Sequence, residues 1–201
     1  MRRLMVQGDR DATHIEDAVR ELGQLCKERG IGLNVGESGE IVRLMVVTGA
    51  HVRVHQAKRE QPNVHERVST SIVDCIAPAE SAIDNLRGQT TVGLGSGITE
   101  QRLAWAIRLA CLNASEGFIF FHGREGTLAH LIPILAFIKK GEVDKGVARP
   151  RRVVLLDWPM GSARPIFELM GIPSDSNWLR EFFGDDATKK AVDWLTEGLP
   201  A

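Results

Sequence analysis

The chain carries no excess of charge of either sign: 25 Lys and Arg stand against 26 Asp and Glu, a formal net charge of −1. A field of one sign that would gather nucleic acid or an anionic membrane is missing, so neither is an expected partner and any anion site must be local. Cysteine is scarce. Cys26, Cys75 and Cys111 are scattered, form no CxxC pair and are odd in number, which argues against a disulfide framework and suits a reducing cytoplasm. No stretch reaches the about 18 consecutive apolar residues of a membrane-spanning helix. The opening residues Met1-Arg2-Arg3-Leu4-Met5-Val6-Gln7-Gly8 turn polar before any long apolar run, so no signal peptide is expected. Low-complexity linkers and internal repeats are absent too. With 43% hydrophobic and 25% charged residues, the balance is that of a globular chain, not a collagenous or disordered one. Tyrosine is missing altogether, against 20 glycines, and the positions of those glycines are informative.

At 201 residues the chain fits one domain spanning 1–201. Short apolar runs alternate with stretches of helical period, the pattern of β-α units around a parallel sheet. Leu4-Met5-Val6 predicts a first strand, followed by a helix with Ile15, Ala18, Val19, Leu22, Leu25 and Cys26 on one face and Gly30 at its end. Ile31–Val35 predicts a second strand, then a helix from Glu40 to about Thr48 stopped by Gly49, then a third strand near Val52–Val54. Residues 57–90 read as a variable insertion or lid. Thr91–Leu94, Phe118–Phe121 and Val153–Leu156 predict three more strands, the first two followed by long helices, the second of which contains Pro133. Residues 158–201 read as a C-terminal helical extension with segments near 163–170, 177–183 and 187–197. The expected class is α/β, a doubly wound, mainly parallel sheet with helices on both faces, whose ligands belong at the carboxyl ends of the strands.

Three glycine-bearing turns fall at such strand ends and each precedes a helix: Gly36 to Gly39, Gly95 to Gly97, and Gly123 to Thr127. A helix N-terminus offers unpaired N–H groups and the positive end of a dipole, and glycine lets a phosphate approach the backbone. Tight β-α turns also use glycine for purely local reasons. No Walker loop is present, and no G-x-G-x-x-G follows the first strand, which removes the standard dinucleotide-dependent dehydrogenase.

The run Ala18-x-x-x-Leu22-Gly23-x-Leu25-x-x-x-x-Gly30-x-x-Leu33-x-Val35-Gly36-x-x-Gly39, continuing to Gly49-Ala50-x-Val52, resembles the first half of the LOG ("lonely guy", putative lysine decarboxylase) family. Ser115-Glu116-Gly117-Phe118-Ile119-Phe120-Phe121-His122-Gly123-Arg124-Glu125-Gly126-Thr127-Leu128 is similar to the S-D-A-F-I-x-L-P-G-G-x-G-T-L segment of that family and its SLOG superfamily. The resemblance implies a Rossmann-like domain, a homodimer, and a nucleotide or nucleotide-derived phosphate ligand, and the candidate ligand-binding residues are Gly8, Gly36, Ser38, Gly39, Gly123, Arg124, Glu125, Gly126 and Thr127. It implies no cofactor. It also implies an alternative activity, hydrolysis of the N-glycosidic bond of a nucleoside 5'-monophosphate.

The chain departs from the family motif P-G-G-x-G-T-x-x-E at three places, where His122, Arg124 and His130 stand for the proline, the second glycine and the glutamate. That glutamate is catalytic in the hydrolases, and an imidazole at His130 is a different acid–base group. The family's catalytic arginine lies on the preceding helix, where Arg102 and Arg108 both fall without matching its spacing; Arg102, in the first turns nearest the strand ends, is the candidate, and Glu125 or Glu100 is a replacement carboxylate. Arg124 can clamp a phosphate bidentately, fill the substrate's space, or point to solvent. Among other groups, Asp157 and Trp158 follow the last strand, where a carboxylate can meet ribose hydroxyls and an indole can stack on a base. His51, His55 and His65 lack metal-ligand spacing, so no metal is expected. The basic run Lys139 to Arg152 reads as a solvated turn rather than a nucleic-acid patch.

Overall fold

The computed structural model describes residues 2–8, 13–35, 39–60, 67–75, 112, 114–143 and 151–197. Its organising element is a seven-stranded sheet. The strands are β1 (Arg3–Gln7), β2 (Gly32–Val35), β3 (Val52–Glu60), β4 (Arg67–Cys75), β5 (Gly117–Phe121), β6 (Arg152–Leu156) and β7 (Leu179–Phe182), in the spatial order β4-β3-β2-β1-β5-β6-β7. Six are mutually parallel; β4 alone runs antiparallel, against β3. The expected α/β class and mainly parallel sheet are therefore present. From β1 the chain steps outward through β2 and β3, and the other half of the sheet steps the opposite way through β5, β6 and β7. The direction reverses between β1 and β5, which makes the gap beyond their carboxyl ends the topological switch point.

The central strands are nearly continuous apolar runs because both faces are covered. Helices α1 (Glu16–Glu28), α2 (Gly39–Val47) and α5 (Ala187–Thr196) accompany one core, in which Val19, Leu22, Cys26, Leu44 and Val192 meet Leu4, Leu33, Ile119 and Val154. Helices α3 (Glu125–Val143) and α4 (Arg164–Leu169) accompany the other, in which Leu131, Ile134, Leu135 and Ile138 meet Met5, Phe118, Phe120 and Leu155. Alternate residues of one strand thus feed opposite cores, as the strand period of two requires. Gly30 ends α1 at φ +64 and Gly49 ends α2 at φ +81, the left-handed turns that glycine supplies most cheaply.

Two expectations change. Residues 177–183 are not helical: Leu179–Phe182 form the edge strand β7, in register with Val153–Leu156. A four-residue segment is too short to declare a period, and pairing with β6 decides its conformation. The supposed insertion is in part an extension of the sheet, since β3 and β4 pair from Val52↔Cys75 to Glu60↔Arg67. The sixth strand expected at Thr91–Leu94, with the helix after it, lies outside the described residues. Helix α3 is continuous through Pro133, although proline gives up one backbone bond there.

Candidate functional site

Two chain segments meet beyond the switch point. The first leaves β1 through Gly8 and includes a 3₁₀ turn, Thr13–Ile15, that leads into α1. The second leaves β5 through His122 and Gly123 and enters α3 at Glu125. Helices α1 and α3 lie on opposite faces of the sheet, so their N-terminal ends flank the crevice.

The β5–α3 turn presents the donors an anion would use. Its Arg124 carbonyl accepts from the Thr127 amide at 3.0 Å and the Leu128 amide at 3.1 Å, closing the first turn. The amides of Glu125 and Gly126 are the helix's unclaimed first-turn donors. Gly126 is exposed, and a Cβ built on it would meet nothing within 4 Å, so the space over the helix start is open. Thr127 is 2% exposed, and its Oγ1 is buried with no hydrogen-bond partner among the described residues. A buried hydroxyl left unpaired costs about 1–3 kcal/mol. Arg124 and Glu125 are both exposed at the mouth of the turn. His130 lies three residues beyond Thr127 on the same helix face, half-buried, with its Nδ1 inside the protein.

Gly8 belongs to the crevice floor. A Cβ there would fall 2.8 Å from Ile41 Cδ1, 3.1 Å from Phe121 Cβ and 3.3 Å from Ile15 Cδ1, so packing alone requires glycine at this position. Gly39 opens α2 at the carboxyl end of β2. Gly36, Ser38 and Arg102 lie outside the described residues.

Sequence reasoning placed Trp158 as a base-stacking surface, and the structure gives it another task. Its ring is only 6% exposed and belongs to the core beside α3 and α4, while Nε1 donates to the Phe120 carbonyl at 2.8 Å. Held in this way, it supports His122, whose ring stands edge-on to it with centroids 5.4 Å apart and planes at 87°. His122 also meets His14 of the 3₁₀ turn, centroids 6.1 Å apart at 80°. His14 was missed in the sequence. Nothing in its spacing announces a partner 108 positions away across two strands.

Asp157, just before Trp158, is one of two described non-glycine residues with positive φ, at +56. Its amide donates to the Phe182 carbonyl at 3.0 Å, which ties the strained turn to β7. Burial pushes its carboxyl above the usual range, and the nearby Glu21 carboxylate adds to the rise.

Three basic residues of the run, Lys139, Arg151 and Arg152, are engaged within the fold, and its residues 144–150 lie outside the described residues. Lys139 Nζ donates to the Met170 carbonyl, Arg151 donates to the Leu112 carbonyl, and Arg152 donates to the Trp194 carbonyl and lies 4.8 Å from that indole's centroid. Among the described residues no three His, Cys, Asp or Glu side chains converge as a metal site, and no helix is long and apolar enough to cross a membrane. No protein-family model matches the chain, and no curated protein matches it.

Proposed function

We propose that the chain binds a nucleotide or nucleotide-derived ligand through its phosphate, at the crevice between β1 and β5. The observation that carries this reading is the turn from Gly123 to Thr127. It stands at the carboxyl end of β5, starts a 19-residue helix, leaves open space over Gly126, and buries a threonine hydroxyl that has no protein partner among the described residues. A phosphoryl oxygen seated there would accept from the Glu125 and Gly126 amides and the Thr127 hydroxyl, with the helix dipole favouring its charge. Arg124, exposed at the same mouth, would add a bidentate contact. The likeness of His122–Leu128 to the LOG motif supports the same ligand class.

His130 favours binding over hydrolysis. Cleavage of an N-glycosidic bond develops positive charge at the ribosyl carbon, which a carboxylate stabilises and an imidazole does not. The test is to incubate the protein with AMP, other nucleoside monophosphates and ADP-ribose, following thermal stability and released base together. Stabilisation without base is the expected result. Base release that disappears in Arg102→Ala would establish the hydrolase, the homodimer then being sought by sedimentation. No stabilisation by any of these ligands would sink the phosphate reading.

A further inference from the structure

We propose that His14 and His122 are ligand contacts that select a terminal phosphate, an inference that rests on the phosphate reading above. The α3 turn alone underserves such a group. A phosphomonoester presents three strongly accepting oxygens, whereas the turn offers the Glu125 and Gly126 amides and the Thr127 hydroxyl, because the Thr127 and Leu128 amides are already bonded to Arg124 O. The remaining lone pairs need donors from across the crevice.

Two imidazoles flank the start of that turn in the chain and across the switch point. His122 directly precedes the turn and follows β5, and His14 follows β1 on the adjacent strand, so their contact bridges the switch point. Among the described residues neither ring nitrogen pair is engaged in a hydrogen bond. His14 is exposed and His122 half-exposed, so both remain open to a ligand. A neutral imidazole donates one N–H and a cationic one two. Trp158, held by its bond to Phe120 O, packs edge-on against the His122 ring and fixes its position. A phosphodiester, with fewer terminal oxygens, gains less from this second set of donors. A neutral nucleoside lacks the phosphate oxygens to which this pair would donate, so the selectivity falls on the charged end of the ligand.

The test is calorimetric titration of AMP, ADP-ribose, adenosine and inorganic phosphate into the wild type, His122→Phe, His122→Gln and His14→Phe. Phenylalanine keeps the edge-on packing against Trp158 and removes the N–H donor. We expect the wild type to bind AMP more tightly than ADP-ribose, His122→Phe and His14→Phe each to weaken AMP by about tenfold or more, and His122→Gln to recover part of the loss. ADP-ribose affinity should change little in all three variants. Should His122→Phe fold poorly, the exposed His14→Phe carries the same comparison. Unchanged AMP affinity in the folded phenylalanine variants overturns the histidine assignment and leaves the phosphate reading standing. ADP-ribose binding as tightly as AMP overturns the preference for a terminal phosphate. Absence of any binding to the wild type overturns both this inference and the reading beneath it.

Discussion

Two glycines beside the crevice answer to opposite constraints. Gly126 faces open space, so Gly126→Val should fold with a melting temperature within a few degrees of wild type, 1 kcal/mol corresponding to about 2–4 °C at this size. Its branched side chain would occupy the space proposed for phosphate, and AMP affinity should fall at least about tenfold by titration. Gly8 faces Ile41, Phe121 and Ile15 at 2.8–3.3 Å. The Ile41 methyl can rotate away, but Phe121 Cβ is fixed to its strand, so Gly8→Ala should cost about 1–3 kcal/mol in denaturant unfolding. Asp157 supplies a pH-dependent counterpart. Its carboxyl is raised by burial and by Glu21, so the folded state holds the proton more tightly than the unfolded chain. The group imposes no penalty below its unfolded value of about 4. The penalty grows as pH rises and is complete above the folded value. Asp157→Asn keeps a residue that tolerates the left-handed turn and should be more stable than wild type at pH 7, with the gain vanishing near pH 3. A gain that persists at pH 3 would assign the effect to something other than ionisation.

At the scale of elements, α1 and α2 approach so closely that a Cβ on Gly23 would lie 2.5 Å from Thr48 Oγ1, which donates to the Met45 carbonyl at 2.6 Å. Gly23→Ala should therefore destabilise by about 1–3 kcal/mol. In a Thr48→Ala background the same change should cost less, a coupling of about 0.5 kcal/mol or more in the double-mutant cycle. Additive effects would refute the contact as the cause. Gly23 also illustrates what a sequence can disclose. It stood out within a motif, and the helix carrying it, its glycine stop at Gly30 and the buried strands were all readable, because each rests on periodicity or on a residue with special backbone freedom. The glycine turn from Gly123 to Thr127 was readable for the same reason. Strand β7 was not, since four residues hold too little period and their pairing with β6 is a tertiary fact. The His14–His122–Trp158 arrangement was hidden for a related reason: it joins the ends of three strands and exists only once the sheet order is set. Trp158 reads as outward-facing from the sequence because its neighbours Pro159, Met160 and Gly161 read as loop, whereas its indole turns back to bond Phe120.

For the molecule as a whole, the crevice and the core share one sheet, so a ligand held between β1 and β5 must stabilise everything packed on those strands. Cys26 reports that linkage. Its side chain is fully buried on α1 against the sheet, and burial pushes the thiol up to about 12, with Arg29 pulling weakly the other way. At neutral pH the thiol is therefore both inaccessible and protonated, and the thiolate is the form that reacts. Alkylation must wait for α1 to leave the core it shares with α2 and α5, which amounts to global opening. In a Cys75→Ser, Cys111→Ser variant, where Cys26 is the remaining thiol, labelling by iodoacetamide should follow the equilibrium population of the unfolded chain, provided reclosing outpaces reaction. Urea should then accelerate labelling with the same dependence that it shows in the unfolding transition. AMP at 100 times its Kd should slow labelling about 100-fold, the factor by which mass action depletes the open state. The Gly126→Val protein, still folded, should be slowed by the same AMP concentration at least about tenfold less than wild type. If wild-type labelling is indifferent to AMP while urea still accelerates it, the core opens as argued but the crevice does not hold the nucleotide. If labelling outruns global unfolding in the absence of urea, α1 opens on its own and the sheet does not transmit occupancy of the crevice to it.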